Sequence, residues 1–419
     1  MAPLLIGCVA DDFTGATDVA NIFARGGLKT TVLIGVPSAD EPLDAEAIVI
    51  ALKTRTIQPS LAVDESISAL RWLRQRGAKR FYFKYCSTFD STAKGNIGPV
   101  TEALLKELNS DFTIACPAFP ANGRTIYKGN LFVGDVPLNE SGMRNHPLTP
   151  MKDSNLVRVL AEQTKLNVSA CFYDTVQRGA SAISEWAEKA MSDGTDIAVI
   201  DALGDADLVE IAKAFEDITL FTGASGLAYG IVAALGRDAT AVDAVSKTEK
   251  SGARAVISGS CSVATNDQVE TMLRDHEGYK IDVDDLASGK DVVGDALRWA
   301  KARLGSKPIL IYATAKPEQV QSNQDKLGVE AAGALVEEAL SSIALALVEN
   351  GVSELIVAGG ETSGAVVKAL GVKGLKIGGE IAPGVPWVRT NHNNKSIALA
   401  LKSGNFGNSR FFLDAWEKL

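Results

Sequence analysis

Chemistry-bearing residues fall into three groups, and the first is a pair of adjacent carboxylates. Asp11 and Asp12 stand in Ala10-Asp11-Asp12-Phe13-Thr14-Gly15-Ala16-Thr17-Asp18, where an apolar run meets a helical pattern. Burying a bare carboxylate is costly, so neither belongs in a core without a partner. The bland alternative is a helix N-cap aspartate beside a solvated neighbour; the favoured reading is a functional site. The amides of Thr14, Gly15 and Ala16 open the helix and would face a docked anion.

The second group follows another apolar run, in Lys84-Tyr85-Cys86-Ser87-Thr88-Phe89-Asp90-Ser91-Thr92-Ala93-Lys94-Gly95-Asn96. Ser87, Asp90 and Ser91 could hydrogen-bond a polyol while Lys84 or Lys94 meets a charge; a capped turn with solvated lysines is the alternative. Lys53-Thr54-Arg55 offers a guanidinium fork for a carboxylate, although a surface arginine at a strand end is nearly as expected. A long loop adds Asn122-Gly123-Arg124-Thr125 and Ser141-Gly142-Met143-Arg144-Asn145-His146-Pro147. His146 reads as a hydrogen-bonding residue rather than a base. None of the three histidines has a metal-ligand partner at i+3 or i+4, so no zinc site and no metal-ligand set is expected.

The third group is a trio of small polar turns, each following an apolar run. They are Ser258-Gly259-Ser260, Gly359-Gly360-Glu361-Thr362-Ser363-Gly364 and Ser403-Gly404-Asn405. Singly each reads as a helix cap; three on one sheet edge outline a nucleotide site. Neither a G-x-x-x-x-G-K-[ST] loop nor an opening G-x-G-x-x-G occurs, which disfavours a P-loop protein and a dinucleotide fold.

The elements that position these groups alternate. Leu4–Ala10, Lys29–Ile34, Ala47–Leu52, Lys79–Tyr85, Phe112–Cys116, Ala170–Tyr173, Ile197–Ile200 and Thr219–Thr222 read as strands, with helices between most of them. The alternation restarts at Ala253–Ser258 and continues through Tyr279–Val283, Ile309–Ala313, Glu354–Ala358 and Ser396–Lys402, closing on a helix over Arg410–Lys418. The polar, alanine-rich stretch from 237 to 252 marks a boundary. The fold class is therefore α/β: two α/β domains with mainly parallel sheets, residues 1–245 and 250–419, and a ligand cleft expected between them. Residues 117–150 form a Gly-, Pro- and Asn-rich excursion of the kind that carries function.

Bulk properties bound the partners. The chain has 419 residues, 46% hydrophobic and 22% charged, as in an ordinary globular protein of two or three domains. A net charge of −9 argues against nucleic acid or an anionic membrane as partner. Five scattered cysteines without a C-x-x-C pair, and no signal-peptide pattern, point to reduced thiols and a cytoplasmic setting. No stretch of about 18 uncharged apolar residues stands out as a membrane span. A homo-oligomer is left open.

Taken together, Ala10 to Ala16, Asp90-Ser91-Thr92-Ala93-Lys94-Gly95-Asn96 and Gly359 to Gly364 resemble the motifs of the four-carbon acid sugar kinases, over essentially the whole chain. That family includes D-threonate, D-erythronate and 3-oxo-tetronate kinases. Lys84 to Ser91, Asn122 to Thr125 and Ser141 to Pro150 are similar to the 3-oxo-tetronate branch. The threonate and erythronate kinases usually carry a shorter Asp-Ser-Thr-Leu-Arg-Gly version, with arginine where Lys94 stands.

The resemblance implies phosphorylation of the acid's 4-hydroxyl by ATP with Mg²⁺, sugar acid on the first domain and nucleotide on the second. Ser258, Gly359, Gly360, Glu361, Thr362, Ser363, Ser403 and Gly404 are then nucleotide residues. On their own chemistry, Arg55, Lys84, Ser87, Asp90, Lys94, Arg124 and Arg144 are the expected substrate residues, with Arg55 and either Arg124 or Arg144 on the carboxylate. Asp12 is expected to take the hydroxyl proton, and Asp11 competes as base or outer-shell magnesium ligand. Domain closure would exclude water. The alternative is a D-threonate or D-erythronate 4-kinase, which shares the chemistry and differs in pocket lining, and the rival class is a two-lobed sugar-acid-binding protein that forms no ADP.

Overall fold

Short β-branched and aliphatic runs cannot satisfy both faces of a strand with water, so they form parallel strands covered by helices. The computed structural model describes residues 3–37, 44–146, 148–236, 252–305, 307–393 and 395–419. The chain divides into two compact units, Met1–Ala241 and Val242–Leu419. The boundary expected over 237–252 lies outside the described residues, Gly252 apart.

In the N-terminal unit the strands are β1 (Ile6–Ala10), β2 (Thr30–Ile34), β3 (Ala47–Ala51), β4 (Arg80–Lys84), β5 (Thr113–Cys116), β6 (Arg124–Tyr127), β7 (Asn130–Val133), β8 (Val136–Pro137), β9 (Val168–Cys171), β10 (Ile197–Ile200) and β11 (Leu220–Gly223). The main sheet runs β2-β3-β1-β4-β11-β5-β10-β9, every pair parallel. β1 and β3 are buried along their whole lengths. Helix Phe13–Arg25 packs on β2 and β3 and against helix Ser225–Ala234; helix Pro59–Gln75 packs on β1 and against helix Ile97–Leu108. Each fully buried Val, Ile or Phe of this core contributes about 1.5–3 kcal/mol.

In the N-terminal unit two local readings differ from the structure. β9 begins two residues before the expected strand, and Tyr173 instead opens a short helix, Tyr173–Val176. The long excursion is not irregular throughout: β6, β7 and β8 form a small antiparallel sheet. Its tight turns use left-handed residues, Lys128 and Gly129 between β6 and β7 and Gly134 between β7 and β8.

The C-terminal unit adds β12 (Ala253–Ser258), β13 (Gly278–Lys280), β14 (Ile309–Tyr312), β15 (Val352–Ala358), β16 (Gly374–Ala382), β17 (Val385–His392) and β18 (Lys395–Lys402). β13, β14, β12, β15 and β18 are parallel neighbours in that order. β17 then pairs antiparallel with β18, and β16 antiparallel with β17. The β16–β17 hairpin was not anticipated, because Gly378-Gly379 and irregular register mask its alternation. Its turn is Pro383-Gly384, with Gly384 at φ +80° as a proline–glycine turn requires. Trp387 on β17 is fully buried against Trp416, ring centroids 5.7 Å apart, and donates its indole N–H to the Ala415 carbonyl at 3.0 Å. The expected C-terminal helix is a short α-turn, Phe411–Asp414, continued by a 3₁₀ turn, Ala415–Lys418.

Helix Val329–Glu349 is long and apolar enough to cross a membrane by length and composition. On it Leu340, Ile343, Ala344 and Leu347 are buried, and the helix packs on β12 and β15. Among the described residues, all five cysteines are free, and Cys8, Cys116 and Cys171 are buried.

Candidate active site

The acidic pair sits where β1 ends. Register places Ala10 beside Ala51 on β3 and Lys84 on β4, so the residues that follow all three strands share one sheet edge. The Asp11 carbonyl then accepts the amides of Thr54 and Arg55 at 2.9 and 3.2 Å, drawing the Arg55 loop over the carboxylates. Arg55 grips Asp11 bidentately, Nε to Oδ2 at 2.9 Å and Nη2 to Oδ1 at 2.8 Å. The same Nη2 reaches Asp12 Oδ1 at 2.6 Å, and Nη1 lies 4.0 Å from Asp90 Oδ2. Asp12 is also the N-cap of helix Phe13–Arg25: its carboxylate accepts the Gly15 amide at 3.0 Å and the Thr14 hydroxyl. The cap reading and the functional reading therefore meet in one residue. Asp11, at 5% exposure, is not the solvated neighbour of the bland alternative.

Electrostatics separates the two acids. Burial pushes Asp11 up; the Arg55 charge and hydrogen bonds pull it down, nearby Asp12 adds to the rise, and the net direction is upward. Burial also acts on Asp12, but Arg55, Lys84, the Thr14 hydroxyl and the Gly15 amide together outweigh it and hold this carboxyl below its ordinary value. Gly15 is where the cluster has no room. A Cβ there would come within 2.4 Å of Asp12 Oδ1 and 2.5 Å of Lys84 Nζ. Lys84 is buried and donates to the Tyr85 carbonyl at 2.9 Å.

The turn after β4 is tied down from within. Thr88 donates to Asp90 Oδ1 at 2.5 Å, and Phe89 holds φ at +52° with its ring packed edge-on to Tyr85. Burial, then Asp90, pushes the Cys86 thiol up to about 12, so it stays protonated. Ser91 is engaged by the protein: its hydroxyl accepts from Gln163 Nε2 at 2.8 Å. Ser87 is buried in the same turn, and Lys94 is exposed. Arg124, at the start of β6, is buried, and burial lowers its pKa against the opposing pull of Cys86 and Asp90. Arg144 is exposed on the 3₁₀ turn Gly142–Asn145. His146 Nδ1 takes the amide and hydroxyl of Thr149 at 3.1 and 2.9 Å, the hydrogen-bonding role expected of it. Thus Asp11, Asp12, Arg55, Lys84 and Asp90 gather, with Arg124 in electrostatic reach, while Lys94 and Arg144 face solvent.

Asn96 belongs with the cluster although it was not singled out. Its Nδ2 donates to the carbonyls of Thr54, Arg55 and Ile57 at 2.6, 3.2 and 2.9 Å, so it fixes the loop that carries the arginine. The available signal, an Asn just ahead of a helix, reads as an N-cap; the side chain in fact makes no cap bond.

In the C-terminal unit, register aligns Ser258, Ala358 and Lys402 at the ends of three adjacent parallel strands. The three small polar turns therefore share that edge, where ligands of open α/β sheets bind. Gly359 adopts φ +126° and caps helix Gly360–Ala369 without a side chain, leaving its opening amides to an anion. Gly359, Gly259 and Thr362 are close-packed: a Cβ on Gly259 would lie 2.2 Å from Thr362 Oγ1. Ser258 Oγ bonds Thr314 Oγ1 at 2.7 Å, and Ser363 is fully buried at the helix start. The Gly404 carbonyl accepts from Ser262 Oγ at 2.6 Å and Thr265 Oγ1 at 2.8 Å, which interlocks the first and third turns. Thr265 and Lys402 were missed, because both read as ordinary members of a helix and an apolar strand.

A carboxylate–arginine cluster on one sheet edge and a glycine turn without a side-chain cap on another have the chemistry to suit a small polar molecule and a phosphorylated one. The family model described as the sugar-binding N-terminal domain matches residues 6–231, and that described as the nucleotide-binding C-terminal domain matches 255–412. The chain is 52% identical over 423 residues to the 3-oxo-tetronate kinase of Pseudomonas savastanoi pv. phaseolicola, covering 99% of this chain and 97% of that one. It is 44% identical over 409 residues to the 3-oxo-tetronate kinase of Haemophilus influenzae, covering 97% and 98%. The crystal structure of Haemophilus influenzae protein HI1011 superposes with a TM-score of 0.73 at 44% identity, covering 98% and 99%. The chain belongs to this family of kinases built from a sugar-binding N-terminal and a nucleotide-binding C-terminal domain.

Proposed function

We propose that this protein transfers the γ-phosphoryl group of ATP to the 4-hydroxyl of a 3-oxo-tetronate, releasing ADP and the 4-phosphate. The observation that carries the reading is the 52% identity to a 3-oxo-tetronate kinase over 99% of the chain. Residues 1–245 take the sugar acid and 250–419 the nucleotide. Asp12, held ionised by its neighbours, accepts the hydroxyl proton as the O–P bond forms and the bond to ADP breaks. Asp11 fixes Arg55, whose Nη1 edge, with Arg124, meets the substrate carboxylate; Arg144 on its exposed turn is the further candidate. Lys84, Ser87 and Asp90 line the sugar-acid side, with the exposed Lys94 of the same turn a further candidate.

The glycine turn of Gly359 to Ser363, with Ser258, Ser403 and Gly404, holds the phosphates. Magnesium would come with the nucleotide, bound through its phosphate oxygens. When bound it neutralises charge on the β- and γ-phosphates. The test is ADP release against 3-oxo-tetronates, D-threonate and D-erythronate, with and without Mg²⁺. Turnover on a 3-oxo-tetronate at least ten-fold above the others is expected; binding of the acid without ADP release would overturn the proposal.

A further inference from the structure

Lys402 is a buried ammonium with no carboxylate bonded to it among the described residues. It ends β18 at 0% exposure, and its Nζ donates to Thr265 Oγ1 at 3.1 Å and to the carbonyls of Ser403 and Gly404 at 2.9 and 3.1 Å. Three acceptors fill an ammonium's donor capacity, so it has no hydrogen left for a ligand. Burial alone drives its pKa down to about 7. A cation in this setting costs stability that an apolar side chain of the same volume would not. Such a residue is retained where its charge or its bonds serve something else.

The bonds show what that is. In a trans peptide the N–H points opposite the C=O, so pinning the Ser403 carbonyl onto Lys402 turns the Gly404 amide away from the interior. The Gly404 carbonyl is held by Lys402, Ser262 and Thr265 together. A Cβ on Gly404 would lie 2.4 Å from Ser260 Oγ, so this turn is seated directly on the first one. We infer that Lys402 is a positioning residue for nucleotide binding: its ammonium locks the Ser403-Gly404 turn to Thr265 and presents the Gly404 amide to a nucleotide phosphate, whose negative charge offsets the buried cation.

This rests on the nucleotide reading of the C-terminal unit, and the experiment separates the two. Calorimetric titration of the full-length protein with the magnesium complex of a non-hydrolysable ATP analogue is compared with that of Lys402→Met. The expected result is at least ten-fold weaker binding in the variant, a sugar-acid KM within two-fold of wild type, and a melting temperature at pH 7 no lower than wild type. Unchanged analogue affinity, or a fall in melting temperature with unchanged affinity, overturns the inference and marks the lysine as structural. Wild type that binds no analogue overturns the nucleotide reading itself. Should Lys402→Met fail to fold, Thr265→Val takes its place: it removes the hydroxyl shared by Lys402 and Gly404 while keeping side-chain shape, and analogue affinity is expected to fall at least three-fold, with no change again counting against the inference.

Discussion

At the scale of single residues, two adjacent aspartates do different work because their surroundings differ. Asp12 is stabilised as an anion by Arg55, Lys84, a hydroxyl and a helix amide, whereas Asp11 is spent on the arginine fork. Asp12→Asn is therefore expected to lower kcat at least 100-fold, the size of a lost acid–base contribution, with the ATP KM little changed. Asp11→Asn is expected to raise the sugar-acid KM as Arg55 loses its bidentate partner. Steady-state kinetics of the two variants decides this, and near-normal turnover of Asp12→Asn would remove it from the chemistry. Lys402 gives a pH dependence. Its folded pKa of about 7 lies below the unfolded 10.5, so between those values the unfolded chain binds the extra proton and the native state gains stability as pH rises. Chemical denaturation should find Lys402→Met most ahead of wild type near pH 6, with the gap closing by on the order of 2 kcal/mol by pH 9.

At the scale of elements, the N-terminal site depends on loops that follow parallel strands and are held by side chains from elsewhere in sequence. Asn96, at the entrance to helix Ile97–Leu108, binds the carbonyls of Thr54, Arg55 and Ile57 in the Arg55 loop. Asn96→Ala removes the side-chain partner of the buried Thr54 carbonyl, at about 1–3 kcal/mol for such a group, and of the half-buried Arg55 and Ile57 carbonyls at less. The same change frees the arginine, so the sugar-acid KM is expected to rise several-fold while calorimetric ATP affinity stays put. Equal loss of both would mean general damage rather than a local hinge.

At the scale of the whole molecule, a sugar acid on one unit and a nucleotide on the other predict separate footprints. Hydrogen exchange with the ATP analogue should slow amides in 258–262, 359–363 and 403–405, and exchange with the acid alone should slow 11–16 and 84–96. At 100-fold excess over Kd each ligand contributes about 2.7 kcal/mol to the unit it binds. Protection of 11–16 by nucleotide alone would exchange the assigned roles.

Most of the strands and long helices, and the three small polar turns, were legible from the sequence, because buried parallel strands appear as apolar runs and strand-to-helix turns need glycine and small polar residues. The irregular β16–β17 hairpin was not, since glycine pairs and register shifts erase the alternation that would announce it. Asp11 and Asp12 stand out by type and spacing, and their candidacy needed nothing more. That Arg55 closes on both of them, that Asn96 serves a loop some 40 positions earlier, and that Lys402 lies beneath a glycine turn came only from tertiary structure. Local sequence sets backbone preference and burial face, but partners distant in sequence are chosen by strand register and packing, which no short window of residues contains.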